Sequence, residues 1–63
     1  MIIEIKASGI RQRYRFTLKG DNGEIVAQSE KYRNRKDCFD TVTMIMQEAA
    51  EANVRDMTGN SNL

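Results

Sequence analysis

Apolar and polar residues alternate strictly through Arg13-Tyr14-Arg15-Phe16-Thr17-Leu18-Lys19. Such a pattern is compatible with little except a strand that has one face on a core and the other in water. Gly20-Asp21-Asn22-Gly23 follows, and Asn-Gly is the strongest short-range hairpin signal. Glu24-Ile25-Val26-Ala27-Gln28-Ser29 then gives a second β-prone run. Before the hairpin, Ile2-Ile3-Glu4-Ile5-Lys6 alternates in the same way and predicts a first strand with Ile3 and Ile5 on its apolar face. Ala7 to Gln12 is read as a loop, with Ile10 folding back over the end of the core.

These faces can be tested against one another, because a one-residue slip turns every side chain over. A tight turn over Ser8–Arg11 pairs Ile3 with Phe16 and Ile5 with Tyr14. A turn on Asn22-Gly23 pairs Leu18 with Ala27. Both registers bring Tyr14, Phe16, Leu18, Ile25 and Ala27 to one side. They also set Glu4 and Glu30 on either side of Arg15, where opposite charges across a ladder contribute roughly 0.2–1 kcal/mol each.

Asn34 is a good helix N-cap, with Asp37 in the position of a capping-box acid. From Arg35 to about Ala52 there is no Gly or Pro, which predicts a helix. At about 100° per residue, Cys38, Val42, Ile45 and Ala49 form a stripe that covers the sheet. Phe39, Met46 and Ala50 form a second stripe beside it, more than one face of three short strands can cover. The predicted architecture is therefore α+β: a three-stranded antiparallel meander over one C-terminal helix (βββα), in a single domain spanning 1–52. Residues 53–63, rich in Asn, Ser and Gly, are read as a loosely ordered tail.

Sixty-three residues bury only roughly 60% of their unfolded surface, so such a core is marginal. One cysteine and no histidine leave no internal disulfide and no zinc site. Oligomerisation or an unusually good small core remains as support. The Phe39-Met46-Ala50 stripe either widens the contact with the sheet or is a partner surface, and it is the candidate dimer interface. The same composition argues against an enzyme. Serines lack a histidine base, and Gly20–Gly23 lacks the Lys-Ser/Thr of a phosphate loop. Cys38 would be a nucleophile only if the helix start and Arg35 lowered its pKa; the competing reading is a small buried hydrophobe. No cofactor, metal or membrane partner is expected. Glu4 follows Ile2-Ile3 where a signal peptide would be basic and then apolar. No run reaches the ~20 apolar residues of a span, and the lone thiol suits a reducing, cytoplasmic setting.

The net charge is only +1, but its distribution is uneven. Residues 1–36 hold nine Lys/Arg against four Asp/Glu, and 37–63 hold one against five. Cations in a helix's first turn oppose its dipole by about 0.3–1 kcal/mol each. Arg11, Arg13, Arg33, Arg35 and Lys36 are therefore the candidate contacts of a second functional reading, an anion or nucleic-acid binding module. The expected neutralisation of Arg15 and the scarcity of outward aromatics count against it.

Tyr14-Arg15-Phe16-x-Leu18-Lys19, Asn22-Gly23-Glu24-Ile25, Ser29-Glu30-x-Tyr32 and a helix carrying Cys38, Val42, Ile45 and Ala49 together resemble the YegP-like family of small uncharacterised bacterial proteins, over roughly residues 2–50. The resemblance implies a three-strand-plus-helix unit, present twice in tandem or once in a homodimer. This chain has a single copy, so a homodimer is implied. It brings no catalytic residue. The leading expectation is a small non-enzymatic protein of unknown role that acts through homodimerisation and protein–protein contact.

Overall fold

The alternating run becomes the centre of a sheet. In the computed structural model, which describes residues 1–9, 11 and 13–59, strands β1 (Ile2–Ser8), β2 (Arg13–Lys19) and β3 (Ile25–Gln28) pair antiparallel in the order β1-β2-β3. Helix α1 (Arg35–Glu48) follows, tightening into a 3₁₀ turn at Ala49–Glu51. It packs on β1 and β2. Phe16 from β2 and Cys38 and Val42 from α1 form the buried centre, with Ile3, Ile5, Tyr14, Leu18, Tyr32 and Ile45 packed around them. Tyr32 stacks on Phe16, ring centroids 6.3 Å apart.

Asn34 caps the helix as its residue type suggests: it is extended (φ −127°, ψ 150°) and its Oδ1 accepts the Asp37 N–H at 3.4 Å. The turn between β2 and β3 closes where Asn-Gly stands. Gly23 has φ +82°, a conformation that costs a Cβ-bearing residue, and its N–H donates to the Gly20 carbonyl at 2.9 Å.

Three details of register differ from the sequence reading. First, Ile3 faces Leu18, Ile5 faces Phe16 and Ala7 faces Tyr14, two residues from the expected pairs. This register lets all seven residues of β1 meet all seven of β2, which a tighter turn would not. A shift of two leaves each side chain on its own face. The turn proposed over Ser8–Arg11 and the fold-back of Ile10 involve Ile10, which lies outside the described residues. Second, the pairing jumps from Leu18↔Ala27 to Lys19↔Ile25. This β-bulge sets Ile25 beside Lys19 rather than on the apolar face, and Ile25 is 55% exposed.

Third, Glu30 does not pair with Arg15. β3 stops at Gln28, and Ser29 holds the next step by both its backbone and its side chain. Its N–H donates to the Phe16 carbonyl and its Oγ accepts the Phe16 N–H, each at 2.9 Å. Pairing resumes at Tyr14↔Tyr32, displaced by one residue. Glu30 and Lys31 therefore share the irregular step opposite Arg15, and Glu30 forms no ion pair with it. Glu4 lies opposite Thr17, and its carboxylate meets Lys19 at 2.9 Å and Lys6 at 3.6 Å.

Beyond the 3₁₀ turn, Ala52 is extended (φ −65°, ψ 141°), and residues 52–57 form neither helix nor strand. Val54 and Met57 are 94% and 84% exposed. The radius of gyration is 14.4 Å, with extents of 47 × 24 × 22 Å. About 11 Å would suit a compact chain of this length.

Phe16→Ala removes the ring on which this small core closes, a loss of about 3–5 kcal/mol for a buried phenylalanine. The expected result is a chain without a cooperative thermal transition by circular dichroism under conditions where the parent shows one.

Candidate functional site

The sheet has one covered face and one open face, and each carries a distinct surface. On the covered side, β1 is the outer strand of the β1-β2-β3 order, and the helix lies over β1 and β2 without closing on that edge. An open apolar groove of about 510 Å³ remains between them. Met1, Ile3 and Ile5 line it from the sheet, and Phe39, Val42, Ile45, Met46 and Ala49 from the helix side. Phe39 is 50% exposed and Met46 69% exposed, so two of the proposed interface residues stand on the rim of one groove. Ala50, the third, is exposed but is not part of its lining. Ala49, expected on the sheet-facing stripe, lines it instead, at the point where the helix tightens into its 3₁₀ turn. The sequence pattern placed Ile3 and Ile5 in the core. It carried no signal that the edge position of β1 would leave them half covered beside Phe39 and Met46.

Cys38 belongs to the core. It is fully buried, and desolvation pushes its thiol pKa up rather than down. This burial supports the reading of Cys38 as a small buried hydrophobe. Among the described residues there is no cluster of three or more Cys, Asp or Glu that could hold a metal ion. No helix among the described residues is long and apolar enough to cross a membrane.

The candidate anion contacts fall into two groups. At the helix start Lys36 is paired with Asp40 at 2.8 Å, which raises its pKa, and the Arg35 guanidinium lies over the Phe39 ring at 5.9 Å. Both cations are engaged within α1. Arg11 is exposed in the β1–β2 connection. Arg13 faces Ser8 across the ladder, on the open face of the sheet. The Tyr14↔Tyr32 bridge brings Arg33 beside it. Arg35 and Lys36 thus have partners within α1, while the bridge brings Arg13 and Arg33 together at the end of the sheet.

Also on the open face, Glu4 is held below the ordinary glutamate value of 4.5, first by its hydrogen bond from Lys19 and further by the charges of Lys19 and Lys6. Thr17, flanked by Glu4, Gln28, Arg15 and Lys19, is 4% exposed. Arg15 reaches Gln28 through a 3.2 Å bond from Nη1 to Oε1.

The family model described as "Domain of unknown function (DUF1508)" matches residues 11–56. No curated protein matches the chain.

Two measurements check these assignments. Iodoacetamide should label Cys38 slowly in the folded chain and at the rate of a free thiol in denaturant. Because the Glu4 pKa is lowered on folding, its contribution to stability is present above pH 4.5 and is lost as pH falls through the lower folded value. Glu4→Gln should flatten the acid limb of a stability–pH profile in that window, and the difference from the parent should shrink at high salt.

Proposed function

Because the chain belongs to the DUF1508 family, the YegP-like family's domain, which carries no assigned activity, we propose that it is a small non-enzymatic protein that works as a homodimer through protein–protein contact. The observation that carries this reading is the groove between β1 and α1. It is apolar, open, and bordered by the exposed side chains of Phe39 and Met46. Monomeric surfaces seldom leave a contiguous apolar strip of this kind uncovered.

Two further features support a second copy as the covering partner. The outer edge of β1 has no strand beside it among the described residues. An open edge next to an apolar groove is self-complementary in the manner that a two-fold interface requires. The 52–57 segment adds Val54 and Met57, apolar side chains that the body of the same chain leaves almost fully exposed. Edge, groove and segment together offer the combination of backbone pairing and apolar burial that a dimer of short chains needs. The homodimer also answers the shortage of core in a chain whose buried apolar centre is Phe16, Cys38 and Val42. Arg35 over Phe39 gives the groove a cationic rim, and the acids of the helix, Asp37, Asp40 and Glu48, lie on the same element.

Phe39→Glu and Met46→Glu should each give a monomeric mass by light scattering at concentrations where the parent is dimeric. A parent of monomeric mass across the accessible concentration range removes the proposal. A dimeric mass for both variants moves the interface elsewhere.

A further inference from the structure

The sequence suggests that Arg15 is neutralised by Glu4 and Glu30, and that suggestion argues against an anion-binding sheet face. The structure removes both partners. Glu4 is drawn to Lys19 and Lys6, and the interruption at Ser29 takes Glu30 out of register. Among the described residues no carboxylate forms an ion pair with Arg13, Arg15, Lys31 or Arg33, and the Nε of Arg15 is buried without an acceptor.

The register places these cations in a block. Lys6 faces Arg15 and Ser8 faces Arg13 across β1 and β2. On the other side of β2, the Tyr14↔Tyr32 bridge brings Arg33 next to Arg13, and Glu30 and Lys31 together span the step opposite Arg15, with no ion pair between Glu30 and Arg15. Neighbouring strands are about 4.8 Å apart, and alternate residues along a strand about 7 Å apart. Four cations without a carboxylate partner, and Lys6, which Glu4 shares with Lys19, therefore lie at one end of the sheet. The acids of the β2–β3 turn, Asp21 and Glu24, lie at the other end. Asp21 is itself occupied by the amino terminus at 2.7 Å.

We propose that this end of the open sheet face is a contact surface for the phosphate backbone of a single-stranded nucleic acid. The choice of partner follows from what the block contains. Protein interfaces have an apolar centre, and the positions around this block, Ser8, Thr17 and Gln28, are polar. Repeated positive charges without apolar anchors match a chain of regularly spaced phosphates. Arginine, three of the five cations, presents a planar fork that suits phosphate oxygens. No aromatic ring stands among these positions to stack a base: Tyr14 and Tyr32 pack against the core. The surface therefore reads backbone rather than sequence. It lies on the face opposite the α1–β1 groove, so it is independent of the pairing of two copies.

The test is fluorescence anisotropy of a labelled single-stranded oligonucleotide titrated with the full chain at 50 and 200 mM salt. Three or four phosphate contacts predict a loss of affinity of about twentyfold to fiftyfold between the two salt concentrations. Arg13→Gln/Arg33→Gln should weaken binding at least tenfold at 50 mM salt. Lys36→Gln, which removes an exposed cation of α1 that is paired with Asp40, should change it less than twofold. Circular dichroism identifies any variant that fails to fold, and Arg15→Lys, which keeps the charge, then serves as the second probe with an expected weakening of a fewfold. Absence of binding at 50 mM salt overturns the proposal. So does an equal loss in Lys36→Gln, which would indicate attraction to bulk charge only. Polyglutamate of matched charge binding as tightly as the oligonucleotide overturns the nucleic-acid assignment in favour of an acidic protein.

Discussion

Everything in this fold depends on a contact between one strand and one helix. Phe16 stands at the middle of β2, and Cys38 and Val42 stand one helical turn apart on α1. These three residues are the buried apolar centre among those described. A three-stranded sheet has one face for one helix, so the chain's other apolar side chains can only gather at the margin of that contact. Ile3 and Ile5 are half covered because β1 is an edge. Phe39 and Met46 are uncovered because they lie on the side of the helix that looks past the edge. The groove is thus a geometric consequence of placing a fourteen-residue helix over a sheet too narrow for its apolar arc.

How much of this was legible in the sequence depends on the length scale of each rule. Period-two alternation and helical periodicity are local, and they give the strands, the helix, the cap at Asn34 and the turn at Asn22-Gly23. Faces are legible for the same reason, since any even shift preserves them. Ile5 lies on the same side whether it meets Tyr14 or Phe16. Register itself depends on how far two strands overlap and on where the ladder breaks, and neither is a local property. The bulge that turns Ile25 outward leaves no mark in a run of Ile, Val and Ala. The break at Ser29 depends on a hydroxyl taking the place of a carbonyl as acceptor for the Phe16 N–H, and a serine in a β-prone run does not announce it.

That one-residue displacement has an effect out of proportion to its size. In a continuous ladder Glu30 would sit against Arg15 and the open face would be close to neutral. With the ladder broken, Arg15 is bonded to the amide oxygen of Gln28 and forms no ion pair with Glu30, and Arg33 stands beside Arg13. The candidate contacts at the helix start show the reverse. Arg35 and Lys36 read as free cations in the sequence, yet i,i+4 geometry supplies Asp40 to one and the Phe39 ring to the other. Charge patches are therefore the least legible layer of such a chain, because each ion pair depends on a register or a rotamer.

The two surfaces also differ in what they mean for folding. A chain of this length orders its residues at a cost of about 1.5 kcal/mol each, close to everything a small core returns. In the proposed homodimer, burial of the groove by a second copy would add apolar area that the isolated chain lacks, so pairing and folding would draw on the same free energy. The basic block contributes in the opposite direction, since like charges held side by side on adjacent strands repel. It persists because the covered face, not the open one, determines the fold. A polyanion laid across the block would relieve that repulsion, and a second copy seated in the groove would stabilise the frame that presents it. The two faces then act on one sheet without sharing a residue beyond those of β1 and β2.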